Sequence, residues 1–275
     1  MTILSLMKVR VNKQNFENGV PHYLAGDFTL QNHVLSTLSH MFPDGERFFM
    51  RAVKRFADAA DTPQMKQEVK AFMGQEMQHG LAHERFNAEL QKTIGSMDWF
   101  MKLFTIPTFE WLEPWITNDL GTGHKFCLSV TSAAENLTAG FAEMIFQNKE
   151  LMQQMPKDVQ ELYLWHAAEE IEHRHLAFEL FQKVDGSYLG RMWGAVVAYS
   201  IILLYVVIGT IYMPLQDKTY RWSSLPFELF RLVTDPKALG KIAIDGFIDY
   251  ARTDFHPNDI SANPDALQYL EKMAS

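Results

Sequence analysis

The sequence predicts an all-α protein, a four-helix bundle holding a pair of metal ions, with extra apolar and C-terminal helices. Three observations predict it. Apolar residues recur with a period near 3.6, and the Pro and Gly breaks fall between the periodic stretches. Glu-x-x-His pairs stand at Glu76–His79 and Glu170–His173, each on a different predicted helix. Two further glutamates, Glu46 and Glu135, each precede one of those pairs on a predicted helix of their own.

Size and composition bound the answer. The chain has 275 residues, 47% hydrophobic and 21% charged, enough for one large domain or one domain plus an appendage. The net charge of −8 argues against a nucleic-acid partner. Cys127 is the single cysteine, which excludes an internal disulfide and a Cys-rich zinc site. A metal must then be held by His, Asp and Glu, a harder set that suits iron or manganese. The first residues, MTILSLMKVRVNKQ, lack the apolar core and cleavage site of a secretory signal. They predict a cytoplasmic location.

Residues 1–26 read as an irregular arm, broken by Gly19, Pro21 and Gly26. The bundle is expected over 27–186. Its first helix begins with Asp27 as N-cap and runs to His40, where MFPDG interrupts it at Met41–Gly45. A fresh helix starts near Asp44 and reaches Ala60, with Phe49, Val53 and Phe56 as its apolar stripe. Glu46 lies in its first turn, where a carboxylate also favours the helix dipole, so its role stays open at this point. Thr62-Pro63 starts the next helix, which continues to Thr93 and carries Glu76, His79 and, one turn on, His83. Gly95–Trp115 is aromatic and broken by Pro107 and Pro114. It predicts short helices or turns that cover the bundle or line a greasy entrance.

The helix from Gly121 or Gly123 to Met152 is rich in small residues, yet places Glu135 on a face with Thr131, Thr138, Ala139 and Ala142. A carboxylate at such a close helix contact needs a partner. Pro156-Lys157-Asp158 opens the fourth helix, expected to end at Asp185-Gly186. His166, Glu170 and His173 stand at i, i+4 and i+7, within roughly 60° of one face. Glu169, Glu172, Arg174 and His175 point away and read as solvated or supporting groups, Glu169 being the nearest to the stripe.

Met192–Met213 follows, 22 residues without a charge, inside an apolar helix expected over 187–215. That length meets the requirement for spanning a bilayer, about 20 residues. Membrane contact is the favoured reading, whether by spanning once or by lying in one leaflet; the alternative is a helix buried on all sides. Residues 216–275 read as C-terminal helices broken at Asp235-Pro236, then a polar tail.

The ordered set Glu46, Glu76-x-x-His79, Glu135, Glu170-x-x-His173 is the carboxylate-bridged plan of the ferritin-like bundle. Four carboxylates offset the charge of two divalent ions, and each ion takes an imidazole. His166 adds a third imidazole. His83 reads as a ligand, a supporting partner or a core histidine.

With His166 included, the pattern resembles the ligand set of p-aminobenzoate N-oxygenase-type diiron enzymes, in which the additional histidine is an iron ligand. The segment WHAAEEIEH followed by an apolar helix resembles a bacterial family labelled predicted metal-dependent hydrolase, over roughly residues 15–250. The ligand pattern implies instead a non-haem diiron oxygenase. The expectation is therefore two Fe ions (Mn or a mixed Fe/Mn pair fits the same ligands) and O₂ as co-substrate. The substrate is expected to be hydrophobic, such as a fatty acid, acyl thioester or other lipid. No nucleotide-binding glycine motif is present, so electrons must come from a separate reductase. The rival expectations are a di-metal hydrolase of an ester or amide and a non-catalytic, ferroxidase-like iron-binding protein. A membrane surface and a homo-oligomer stay open as partners.

Overall fold

The computed structural model describes residues 7–26, 28–260 and 263–274, and no β-strand occurs among them. In order the helices are α1 (Thr29–Arg55), α2 (Pro63–Ile94), α3 (Asp98–Thr105), α4 (Glu113–Asp119), α5 (Gly123–Gln147), α6 (Lys149–Gln154), α7 (Lys157–His173), α8 (Leu176–Val184), α9 (Tyr188–Gln216), α10 (Leu225–Thr234), α11 (Leu239–Tyr250) and α12 (Pro264–Ala274). A π-helical turn, Ile106–Leu112, joins α3 to α4. The chain is all-α, as expected. α1, α2, α7 and α5 pack in a ring, each against the next. α9 lies across α5 and α1, α11 leans on α5, and α12 on α7.

α1 corrects one expectation. It runs unbroken through Pro43, where the sequence predicts two helices. A proline inside a helix removes one backbone hydrogen bond and costs about 3 kcal/mol. Here the carbonyl it orphans, Ser39 O, accepts instead from Asn87 Nδ2 of α2 at 2.8 Å. α2 also passes close to the junction: a Cβ at Gly80 would stand 3.2 Å from Glu46 Oε2 and in ordinary contact, 3.5 Å, with Pro43 Cα. The expected N-cap, Asp27, lies outside the described residues. Phe28 holds the cap position without a side-chain bond. α2 begins as its sequence requires, with Met65 N–H donating to Thr62 Oγ1 at 3.1 Å.

Two other expected helices are divided. Asn148 ends α5 and caps α6 through Leu151 N–H. The fourth bundle helix stops directly after its last motif residue: α7 ends at His173 and α8 restarts at Leu176.

α9 is capped by Ser187, whose hydroxyl accepts from Gly190 N–H. It is long and apolar enough to cross a membrane, and a third of its most apolar stretch is buried against the rest of the protein. Two glycines let it approach the bundle. A Cβ at Gly194 would lie 2.0 Å from Ser129 Oγ, and one at Gly209 2.4 Å from Thr37 Cγ2. The helix is thereby seated on α5 near one end and on α1 near the other. The arm over residues 7–26 has no regular structure but is not loose packing: Phe16, Val20 and Leu24 are buried, and Val9 fills the notch that Gly74 leaves on α2.

Candidate metal centre

All seven residues expected at the centre meet inside the ring of α1, α2, α5 and α7, and none is more than 5% exposed. Each projects from one of these four helices, so the positions are set by helical backbone and not by loops. Donor atoms of Glu46, His79 and His166 lie within 4.8 Å of one another, as do those of Glu76, Glu135 and His173, and those of Glu76, His79 and Glu170. Glu170 Oε1 is the shared centre, 3.1 Å from His166 Nε2, 3.4 Å from His173 Nε2 and 3.6 Å from His79 Nδ1.

The outer nitrogens of the three imidazoles are tied to acceptors. His173 Nδ1–H donates to Gln75 Oε1 at 3.0 Å, and Gln75 is oriented by giving its own amide protons to Lys8 O and Glu172 Oε2. His166 is fixed through a longer chain. Asn87, its amide turned by the bond to Ser39 O, accepts from the Ser39 hydroxyl at 2.6 Å. Ser39 Oγ then accepts from His83 Nδ1–H at 2.8 Å, which leaves His83 Nε2 to accept from His166 Nδ1–H at 2.8 Å. His79 Nε2 meets Glu169 Oε2 at 2.9 Å. Burial pushes Glu169 up to about 8, and Arg10, 3.1 Å from its other oxygen, opposes this. With Glu169 ionised, it accepts from His79 Nε2–H and leaves the lone pair on Nδ1.

The inner surface is therefore made of lone pairs. Both oxygens of Glu46, Glu76 and Glu135, together with His79 Nδ1 and His173 Nε2, are buried without a hydrogen-bond partner. Such orphans are rare and costly, of order 1–3 kcal/mol each. A cation between them satisfies them all. In its absence protons must serve. Burial and neighbouring carboxylates raise Glu46 and Glu76 well above the ordinary range, and burial lifts Glu135 to about 7. Burial would lower His173, but Glu170 and Glu135 hold it well above its usual value. Burial would likewise raise Glu170, and His173 and His166 reverse this. Burial holds His79 and His83 low, as neutral imidazoles. Oxygen and nitrogen donors in this number, without a thiolate, fit one or two hard or borderline divalent ions.

Residues 8–261 match the family model described as predicted metal-dependent hydrolase. The chain belongs to that family. No curated protein and no solved structure matches it. The description of the metal-dependent hydrolase family agrees with a buried His and Glu cluster. It speaks for hydrolysis and not for the O₂-dependent oxidation that the ligand pattern implies.

Several residues that shape this centre were not legible as such. Glu172 and Arg174, read as pointing away into solvent or support, are buried; Glu172 is ion-paired to Arg10 at 2.8 Å. Arg10 itself comes from the arm, where no periodicity marks it. Gln75 stands next to Glu76 and Ser39 two turns before Glu46, and only the fold reveals their bonds. Thr138, noted on the Glu135 face, donates to Glu170 Oε2.

One side of the centre is apolar. A cavity of 120 Å³ reaches Glu46 and Thr138 between walls of Phe42, Phe104, Phe109, Phe126, Phe141 and Ile201. A groove of 610 Å³ between α1, α9, α10 and α11 shares Leu38, Leu137, Phe141 and Ile202 with that cavity. The aromatic stretch after Gly95 thus supplies cavity wall through Phe104 and Phe109, while Trp99, Trp111 and Trp115 face solvent.

Proposed function

We propose that the chain is a di-metal hydrolase of an apolar ester or amide, built on a ferritin-like bundle over 27–186. The observation that carries this reading is the convergence of unpaired carboxylates and imidazole lone pairs beside an apolar cavity. Glu46, His79 and His166 would hold one ion, Glu135 and His173 the other, with Glu76 and Glu170 shared. Two such ions polarise a carbonyl and lower the pKa of bound water toward neutrality. The chain's own part is positional. Gln75 and His83 keep the His173 and His166 lone pairs inward, and Glu169, when ionised, does the same for His79. Thr138 holds one oxygen of Glu170, and the phenylalanine walls orient an acyl chain and exclude bulk water. Cys127 takes no part, since burial pushes its thiol up to about 12.

A second reading, oxidation of a hydrophobic substrate by O₂, is favoured by the donor set itself, which suits two irons, manganese or a mixed pair. It needs O₂ and electrons from a separate reductase. One experiment separates them: the protein loaded with zinc, manganese or iron is assayed on p-nitrophenyl esters of increasing chain length, without oxygen and then with O₂ and reductant. Anaerobic, metal-restored turnover that rises with chain length supports the hydrolase. Absolute dependence on O₂ and reductant moves the assignment to the oxygenase. Iron oxidation without an organic product leaves a ferroxidase-like protein.

We further place the protein on the cytoplasmic face of a membrane, with α9 in one leaflet. Leu203, Val207 and Ile211 of α9, Leu229 of α10 and Ile244 and Ile248 of α11 line the groove and are exposed. Spanning would draw α1 and α5, with their buried carboxylates, into hydrocarbon alongside α9. A leaflet is also a source of apolar substrate for a groove that shares Leu38, Leu137, Phe141 and Ile202 with the cavity.

A further inference from the structure

A second cluster of metal-ligating side chains lies at the other end of α1, where the arm crosses the end of α9. His22 comes from the arm, His33 from α1, and Asp217 is the first residue after α9. One donor atom of each lies within 4.8 Å of the others. His22 Nδ1 stands 3.1 Å from the carbonyl of Thr93, which can only accept, so that nitrogen carries the proton. His22 Nε2 then presents a lone pair to Asp217 Oδ2, 3.1 Å away. Two lone pairs at that distance repel unless a cation lies between. His33 is 1% exposed, and its Nε2 has no hydrogen-bond partner. The carboxylate is held from outside: Thr219 N–H and Oγ1–H donate to Oδ1 at 2.7 and 2.6 Å, and the Tyr23 hydroxyl donates to Oδ2. Outer donors of this kind fix ligating carboxylates.

We propose that His22, His33 and Asp217 hold a single divalent ion of the zinc class, separate from the central pair, which fastens the arm to the end of α9. Two imidazoles and one carboxylate are a common protein set for such an ion, with a fourth position left for water. That position is available on the His22 side, whose side chain is 25% exposed. Burial lowers His33 to about 4, so it is a neutral ligand at physiological pH. Asp217 lies at about 2, because burial is outweighed by Thr219 and Tyr23, and it is fully ionised. The bare alternative, a protonated His22 paired to Asp217, leaves the buried His33 nitrogen unsatisfied.

Zinc is the probe. Full-length wild type, His22→Ala, Asp217→Asn and a Glu76→Gln/Glu135→Gln variant are equilibrated with zinc, desalted and analysed for metal. Wild type is expected to retain one zinc per chain more than His22→Ala or Asp217→Asn. The Glu76→Gln/Glu135→Gln variant keeps that zinc, so the count stands whether or not the central pair fills. Zinc should also slow tryptic cleavage after Lys13 at least tenfold in wild type and not in His22→Ala. His22 is partly exposed, so its variant should show wild-type circular dichroism. Equal zinc content in wild type and the two variants, or arm cleavage indifferent to zinc, overturns the proposal and leaves an ion pair only.

Discussion

Replacing His83 by Phe tests whether the chain Asn87–Ser39–His83–His166 sets the donor state of the centre. The ring volume is kept, and the neighbours Phe42, Phe86 and Tyr163 already make edge contacts with an aromatic there. What is lost is the acceptor 2.8 Å from His166 Nδ1–H. That proton must then stay unpaired in the interior, at a cost of about 1–3 kcal/mol, or move to Nε2 and face the ions. Either outcome weakens the ion that His166 shares with Glu46 and His79. Removal of such an outer partner costs about 10–100-fold in metal affinity, or about 1.4–2.7 kcal/mol. The assay is titration of metal-free protein against a competing chelator, resolving the two ions. One ion should weaken by that factor while the ion near Glu135 and His173 changes little. Affinities within a factor of two of wild type for both ions, in folded protein, would refute the reasoning. So would complete loss of one ion, which would make His83 a direct ligand.

Four further outcomes are expected. Asn87→Leu frees the Ser39 carbonyl opposite Pro43 and should cost about 1–3 kcal/mol in denaturant unfolding; Pro43→Ala in that background should recover most of it by restoring the helical N–H. Arg10→Met strands Glu169 and Glu172 and should cost about 3–5 kcal/mol, with part regained by adding Glu172→Gln, again read by denaturant unfolding. In metal-free protein the folded state binds the Glu135 proton more tightly than the unfolded chain does, at about 7 against 4.5. Stability should therefore fall as pH rises across that window, by about 3 kcal/mol more in wild type than in Glu135→Gln, and bound metal should remove the difference. Wild type should float with anionic liposomes, and Leu203→Glu with Ile211→Glu should abolish flotation while circular dichroism is unchanged.

The helices and the seven converging residues were legible because both depend on spacing. Apolar period sets which face turns inward, and i, i+3, i+4 and i+7 offsets set which polar groups share that face. The partners that orient them depend on what a second element brings, and spacing does not encode this. Arg10 reaches Glu172 across 162 residues, and Gln75 is a motif neighbour whose amide gains meaning only against His173. Glu169 and Glu172 lie off the stripe, which left solvent and support equally open; the arm covers that face and supplies the guanidinium, and Glu169 takes a supporting place against His79. The aromatic stretch after Gly95 was legible as cover or entrance and not as the particular wall that Phe104 and Phe109 form.

The unbroken α1 shows how far one local misreading reaches. MFPDG carries every sign of a helix boundary, and by propensity a break there is the cheaper solution. The helix continues because Asn87 supplies the missing donor. That same amide accepts the Ser39 hydroxyl, which turns Ser39 Oγ toward His83 and so directs the lone pair of His166. Breaking α1 at Pro43 would also leave Glu46, three residues on, without a fixed direction toward the centre. A conflict between local preference and global fold is thus resolved by residues that also orient the site, as expected where strain and function share a position. Coupling of this kind makes a specific demand: Asn87→Leu should lower metal affinity as well as stability, and Pro43→Ala should rescue stability alone, because the serine hydroxyl still lacks its acceptor.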